Sequence, residues 1–210
     1  YQKLPSYFER NFPDDLQFAY LALQEFQNNG QIDWNTLYEA NISNAQTGGN
    51  ARYALYEDRV DDSQFTLNSI LNSELNDNVI LNAGLSLQTL KSENFAKVLD
   101  LLGAENYLDI DQFANDVDEA QNDLQNPNRI VTEGDKFKYN YNLFANVISG
   151  FAQAQFRYNK LDFFLSGSVT NTQYQREGLY QNGAFPDNSL GKGEKLTFTG
   201  FETKGGLTYK

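Results

Sequence analysis

The chain of 210 residues contains no cysteine, methionine or histidine. Without these residues it has no disulfides, and the usual zinc, copper and haem sites and the histidine-based catalytic triads are excluded. A complete translated protein begins with methionine, so we expect a mature or internal piece from which no signal peptide can be read. Long apolar runs are also missing, because no stretch of about 18 apolar residues is present to form a transmembrane helix.

Positive charge is scarce. Lysine and arginine number 16 against 28 aspartates and glutamates, which gives a formal net charge of −12. A polyanion would be repelled and no basic stripe is present, so we do not expect nucleic acid as a partner. Gly191–Gly193 is too short for a phosphate-binding loop. We therefore expect no cofactor and no resident metal.

The chain does contain long alternating segments. Residues 79–87 are typical of a strand with one apolar face, because apolar side chains recur at every second position. The apolar face would carry Val79, Leu81, Ala83, Leu85 and Leu87, and the other face Asn82, Gly84 and Ser86.

Two hairpins and one further strand follow from this alternation. The first hairpin joins residues 64–74 to the strand at 79 through a turn at Asn76–Asn78, and the second joins residues 139–158 to 161–174 through Asn159. A last strand begins at Lys195. Short turns at one end and long polar loops at the other predict a transmembrane β-barrel. About five strands are too few to close one, so we expect part of a larger barrel.

The third strand contains a change of phase. Its apolar positions run from Tyr139 to Val147 at odd numbers and then from Ile148 to Tyr158 at even numbers. A β-bulge between Val147 and Gly150 would keep them on one face.

Several segments outside the strands have helical spacing. The first follows Pro13, and the second would be capped by Asp33. In the long loop, Ser92 would cap a helix that ends at Gly103, and residues 113–124 carry an apolar stripe before Pro127.

The sequence thus predicts an all-β protein, a fragment of a transmembrane antiparallel β-barrel with short helices in long extracellular loops. The predicted divisions are an extracellular helical region at 1–62, a barrel hairpin at 63–90, a helical extracellular loop at 91–137, a second barrel hairpin at 138–176, an extracellular loop at 177–194 and a barrel strand at 195–210.

Charged residues in the loops have a structural and a functional interpretation. Arg52, Arg59 and Arg129 lie among acids and would form ion pairs at the loop bases. The alternative is an irregular calcium site; an EF-hand is rejected because Phe113 occupies a ligand position and the required glycine is absent. Glycoside hydrolysis by paired loop carboxylates is a further alternative, although it needs a rigid cleft. The oxygen ligands for calcium would come from Asp109, Asp111, Asp116, Asp118 and Glu119.

The aromatic residues divide by position. Tyr139, Tyr141 and Tyr158 lie at strand ends, as expected of interfacial girdles or a projecting rim. Aromatic residues in outward loops either form a small loop core or stack on a ligand. The candidate ligand-binding residues are Trp34, Tyr38, Arg176, Tyr180 and Phe185.

Several phrases spread along the chain resemble the barrel half of TonB-dependent outer-membrane receptors of the Bacteroidetes type. None is a catalytic motif, so the resemblance concerns family membership and not the role of a residue. The phrases are Tyr1-Gln-Lys-Leu-Pro-Ser-Tyr-Phe8, Gln31-Ile-Asp-Trp34 with Leu37-Tyr38, Tyr56-Glu-Asp-Arg59, Asn122-Asp-Leu124 with Asn126-Pro-Asn-Arg129, and Tyr174-Gln-Arg-Glu-Gly-Leu-Tyr180 with Asn188-Ser189 and Gly191-Lys-Gly193.

The resemblance implies a non-enzymatic protein of the Gram-negative outer membrane, with a plug inside a 22-stranded barrel. Its partners would be outer-membrane lipid, TonB through regions absent from this sequence, a possible surface lipoprotein, and a small-molecule, glycan or peptide ligand. The function would be ligand capture and energised uptake. Alternatives are a surface ligand-binding β protein that does not transport, another outer-membrane barrel in secretion or assembly, and a loop-borne hydrolase.

Overall fold

The computed structural model describes residues 9–10, 13–28 and 30–210, which divide into two compact units. The first unit contains the described residues up to Tyr53 together with Leu102–Glu105, and the second contains Ala54–Leu101 and Asn106–Lys210. The described chain is mainly antiparallel β-sheet with two short helices. Neither of these helices is long and apolar enough to cross a membrane. Residues 1–8, which open the predicted loop region and carry one of the quoted phrases, lie outside the described residues.

The first unit contains both helices, α1 at Gln17–Asn28 and α2 at Trp34–Gln46. Asp33 is the N-cap of α2, as predicted. Its carboxylate accepts hydrogen bonds from the Thr36 hydroxyl at 2.7 Å and the Thr36 amide at 3.2 Å, which lower the pKa of Asp33. The negative charge also lies at the positive end of the helix dipole, so the cap favours this start of the helix.

Asn41 connects α2 to the chain that follows it. This side chain is fully buried, donates to the Tyr53 carbonyl at 2.8 Å, and accepts from the amides of Arg52 and Tyr53 at 2.9 and 3.0 Å. A buried amide that satisfies three backbone groups fixes residues 52–53 against the helix, because each group would otherwise be buried without a partner.

The second unit is built on one antiparallel sheet. Its long strands are β1 (Leu55–Asn76), β2 (Val79–Asp100), β5 (Lys136–Tyr158), β6 (Leu161–Gly178) and β8 (Leu196–Tyr209), and they pair in that order. The short strand β7 (Gly191–Lys192) also pairs with β6, and β3 (Tyr107–Leu108) pairs with β4 (Ile130–Val131) in a separate two-stranded sheet. The first and last long strands do not pair with each other, so the sheet is open.

Both predicted hairpins are confirmed. Asp77 and Asn78 turn the chain between β1 and β2, and Asn159 and Lys160 turn it between β5 and β6, with Asn159 at a φ of 25°. The Asn78 backbone amide donates to the Asn76 side-chain oxygen at 3.0 Å. Asparagine suits such turns because its short polar side chain tolerates left-handed backbone angles and bonds locally to the backbone.

The two helices predicted in the long loop are wrong. Residues 92–100 continue β2, where they pair with β1 through Asp100. The spacing of Phe95 and Val98 is compatible with a helix and also with a strand that is paired on both sides. Hydrogen-bonded pairing with β1 favours the strand. Residues 113–124 form turns without a helix; Phe113 is 95% exposed and Val117 is 73% exposed, so the predicted apolar stripe is not buried.

The bulge predicted at Val147–Gly150 is also wrong. The pairing of β5 with β2 and with β6 is regular through these residues. The irregularity in β5 lies near the start of the strand. There Phe95 and Ala96 of β2 pair with Asn140 and Phe137, and Lys138, between these two residues of β5, has a φ of 60°. The apolar positions of β5 therefore change from one face of the sheet to the other between Val147 and Ile148.

The register places an apolar belt on one face across all five long strands, in the half near the short turns. We call this the belt face. The predicted alternation of residues 79–87 is confirmed, and the apolar set of β6 shares the face, since Leu81 aligns through Ala154 with Leu165. The apolar belt is formed by Leu67, Leu71, Val79, Leu81, Ala83, Leu85, Leu87, Ile148, Ala152, Ala154, Phe156, Phe163, Leu165, Val169, Phe201 and Leu207.

Within the second unit, no other layer covers the belt. The long strands make extensive contacts only with their hydrogen-bonded neighbours, and Leu85, Leu165 and Phe201 are 66%, 65% and 87% exposed. The opposite face at the same level is mainly polar. Among its few aromatics, the Phe151 ring lies over Gly84, where an added Cβ would come within 2.5 Å of the ring. Its polar members include Asn68, Asn72, Asn82, Ser86, Gln153, Ser166, Ser168, Thr170, Glu202 and Lys204.

Candidate functional site

The sheet changes character above the apolar belt, towards the long loops. On the belt face the row after Leu87 and Ile148 is polar, with Thr89 aligned through Asn146 to Gln173. The opposite face changes in the other direction: it is mainly polar at the level of the belt, and nearer the loops it carries the apolar residues Leu90 and Leu143. Phe95 and Phe144 remain on the belt face, but most other apolar side chains thus change face along the same strands.

The belt face above this row carries paired charges. The Arg59 guanidinium lies 3.0 Å from the Asp61 carboxylate and 3.7 Å from that of Glu57. Glu93 pairs with Lys91 at 2.6 Å and with Lys136 at 3.4 Å. Charged groups that remain at least one-third exposed are characteristic of a surface in water, where such pairs contribute little to stability.

The opposite face above the belt contains an open groove of about 460 Å³. Its walls are mainly apolar, and two charged side chains, Arg176 and Glu194, also line it. Grooves of this volume with apolar walls and a few polar groups are typical of small-ligand sites. The apolar lining consists of Leu90, Leu143, Phe144, Ala145, Tyr174 and Leu196.

The groove lies at an interruption of the β-ladder. Tyr174 of β6 pairs with Leu196 of β8, and Glu177 pairs with Lys192 of β7, but the chain between Lys192 and Leu196 leaves the ladder. Two hydrogen bonds hold it nearby: the Gly193 amide donates to the Arg176 carbonyl at 2.8 Å, and the Gln175 side chain donates to the Gly193 carbonyl at 3.0 Å. This departure opens the space beside β6.

Arg176 is positioned by neighbours on both sides. Its Nη1 donates to the Ser189 carbonyl at 3.1 Å, and the guanidinium lies 5.1 Å from the centre of the Tyr141 ring. Gly178 allows the Ser189 carbonyl to approach, because a Cβ there would lie 1.5 Å from that oxygen. Stacking on an aromatic ring restrains a guanidinium while leaving other N–H groups available to a ligand.

A buried carboxylate organises the long loop beside the strand ends. Asp109 is 2% exposed and pairs with Arg129; it also accepts from the Asn122 side chain at 2.8 Å and from the Lys138 amide at 2.9 Å. The last bond holds the backbone where Lys138 has its positive φ. Burial alone would lower the pKa of Arg129, but hydrogen bonds to Tyr180 and Asp109 raise it overall.

The two long loops of the second unit contact each other. The Leu124 amide donates to the Gln181 carbonyl at 2.7 Å, and the Gly183 amide donates to the Gln121 carbonyl at 2.8 Å. Gly183 is required at this contact, since a Cβ would lie 1.8 Å from the Asp118 carbonyl oxygen. Residues 106–135 and 179–190 therefore form a joined loop structure.

The structure distributes the predicted site residues among three settings. Arg176 lines the groove. Tyr180 holds the loop, because its hydroxyl donates to the Lys136 carbonyl at 3.1 Å and its ring lies 4.4 Å from the Arg129 guanidinium, whereas Phe185 is exposed. Trp34 and Tyr38 belong to the first unit, where both are exposed by about two-fifths; Tyr38 borders Gly103.

The predicted loop-base ion pairs are confirmed for two arginines of the three. Arg59 and Arg129 pair with carboxylates, while Arg52 donates to the Asn44 side chain at 3.3 Å. Asp109, one of the possible calcium ligands, is turned towards Arg129. Across residues 9–10, 13–28 and 30–210, no three carboxylate, histidine or cysteine side chains are placed to hold a metal.

Sequence reasoning missed most of the groove. The predicted bulge places Leu143 on the same face as the belt, and no pattern in the sequence distinguishes Tyr174 or Glu194 as groove residues. The available signal was the phase change itself: without a bulge, residues 139–147 point to the face opposite Ile148.

Comparison with known proteins does not identify the chain. No protein-family model matches it, and no curated protein is significantly similar to it. Function must therefore be argued from the apolar belt, the exchanged polarity above it and the groove.

Proposed function

We propose that this chain is part of the β-barrel of a TonB-dependent outer-membrane receptor of the Bacteroidetes type, which captures a ligand at the cell surface and takes it up without chemical conversion. The observation that carries the proposal is the uncovered apolar belt, continuous across five paired strands, with a mainly polar face behind it. The phrases shared with that receptor family support the narrower assignment.

The dimensions of the belt suit a bilayer. Val79 to Leu87 spans nine residues, and a tilted transmembrane strand needs about 9 to 11. A soluble sandwich would instead pack this face against a second sheet. At the lower border, the Phe156 and Phe163 rings stack with centroids 4.5 Å apart, and Tyr158 and Tyr209 lie in the next row. Aromatic side chains at this level are typical of the membrane interface.

The loops give the proposed orientation. The turns at Asp77 and Asn159 would face the periplasm, and the joined loops 106–135 and 179–190 would lie outside the cell, because barrels of this class have short periplasmic turns and long external loops. The polar face behind the belt would line the lumen. Outer-membrane lipid would contact the belt, TonB would contact other segments of the receptor, and a surface lipoprotein could assist capture.

Cysteine labelling on intact cells tests the proposal. These 210 residues contain no cysteine, and once any cysteine elsewhere in the full-length receptor is replaced by serine, single substitutions give an unambiguous signal. With the full-length receptor, we expect an impermeant maleimide to label Asn115→Cys and Asn182→Cys but not Asp77→Cys, and all three to be labelled after the cells are lysed.

Two results would contradict the proposal. Strong labelling of Asp77→Cys on intact cells would reverse the orientation and remove the basis for capture by the loops. Recovery of the full-length protein in the soluble fraction without detergent would instead favour a surface β protein that binds a ligand and does not transport it.

A further inference from the structure

The groove is lined by apolar side chains and by two charged side chains, and both kinds of lining indicate what type of ligand it would bind. Apolar side chains form most of its wall, and Tyr174 also approaches the Phe198 ring, with centroids 6.2 Å apart. Leu143, Tyr174 and Leu196 remain between 42% and 48% exposed in it. Under the proposed function this face meets water, so exposed apolar area here is best explained as a surface for ligand contact.

The charged side chains of the groove indicate which charges the ligand would carry. Arg176 and Glu194 line the same groove, and in the part of the chain that the structure describes neither forms an ion pair with any side chain. On the belt face at the same level, by contrast, Arg59 and Glu93 do form ion pairs. A cation and an anion that form no ion pair beside one apolar surface complement a ligand that carries both charges on an apolar body.

We infer that the groove binds a short peptide of apolar residues with free termini, whose carboxylate contacts Arg176, whose ammonium contacts Glu194, and whose side chains lie against Leu143, Tyr174 and Leu196. A volume of about 460 Å³ suits a ligand of a few residues. A neutral sugar would leave both charges unused, and a fatty acid would leave Glu194 without a partner. The inference rests on the proposed function, which places this face inside the receptor.

Calorimetric titration with trileucine tests the inference. The full-length receptor in detergent is titrated with trileucine, its C-terminal amide and its N-acetyl form, with empty micelles as the blank. Because each blocked form lacks one charge, we expect each to bind about tenfold more weakly than trileucine. Trileucine that does not bind, or three forms that bind equally, would overturn the inference.

Matched variants then assign the two contacts. Arg176→Gln should weaken the binding of trileucine about tenfold and leave the affinity for the C-terminal amide unchanged. Glu194→Gln should also weaken the binding of trileucine about tenfold, and it should leave the affinity for the N-acetyl form unchanged. Arg157→Gln and Glu202→Gln, which change the same residue types outside the groove, should have no effect. Equal weakening by the control variants, or no weakening by Arg176→Gln, would overturn the assignment.

The same preparations separate this inference from the proposed function. If the protein shows the labelling pattern given above but does not bind trileucine, only the inference of a peptide ligand is overturned. Binding of trileucine with the expected charge dependence by a protein that fractionates as soluble would sustain the groove assignment and overturn the uptake function.

Discussion

The two halves of the sheet share the same strands but carry most of their apolar side chains on opposite faces. In the half near the short turns, Leu85 and Leu165 lie on the belt face, and Ser86 and Ser166 lie behind them. In the half near the loops, the belt face carries paired charges, and the apolar side chains lie on the other side, around the groove. Strand alternation alone cannot produce this exchange, because the pairing continues without a bulge at the boundary.

Under the proposed function, the difference corresponds to two environments along one strand. A sheet in a uniform solvent would keep its apolar residues on one face, since that face alone would be covered. An exchange at a single level across β2, β5 and β6 is expected where lipid surrounds the lower half and water surrounds the upper half. The upper apolar surface then serves a local purpose, for which the groove is the candidate.

The largest expected effect comes from a charge placed within the belt. In the full-length receptor, Leu85→Arg should destabilise the folded protein in vesicles by about 2 to 4 kcal/mol, because the guanidinium would enter the middle of the bilayer. The matched control is Ser86→Thr on the opposite face, which should be nearly silent. Urea titrations of the vesicle-inserted protein measure both. Equal effects would remove the distinction between the two faces.

A smaller and local effect is expected above the belt. Asp109→Asn removes the charge that pairs with Arg129 inside the loop. It should destabilise the loop by about 1 to 3 kcal/mol, because the amide keeps only one of the two acceptor oxygens of the buried network. Residues 106–135 should then be cut faster by protease and the Lys138 amide should exchange faster, while the belt is unchanged. The control is Asp111→Asn at an exposed turn. A loss of bilayer insertion in Asp109→Asn would show that the two halves are not independent.

Much of the fold could be predicted from the sequence because its signals are local. Alternation in residues 79–87 and the turn residues Asp77 and Asn159 define the hairpins without tertiary information. The cap at Asp33 follows from its own side chain and the amide three residues later. These features would be the same in any environment.

The errors arose where one pattern fits two structures. Phe95 and Val98 satisfy both helical spacing and a buried strand, and only pairing with β1 decides between them. The phase change in β5 fits either a bulge or a change of environment, and only the register shows which occurred. The groove depends on that choice and on the departure of Gly193 from the ladder, which no local pattern encodes.

The most direct test of the exchanged environment is a cysteine scan along the belt face of β2, in the full-length receptor inserted in vesicles. Leu81→Cys, Leu85→Cys, Lys91→Cys and Lys97→Cys all lie on this face. We expect a water-soluble maleimide to react slowly at the first two and rapidly at the last two, and a lipid-borne quencher to act on probes at the first two only. Rapid labelling at Leu85→Cys, as fast as at Lys91→Cys, would contradict the account, because the same face would then meet water along the whole strand.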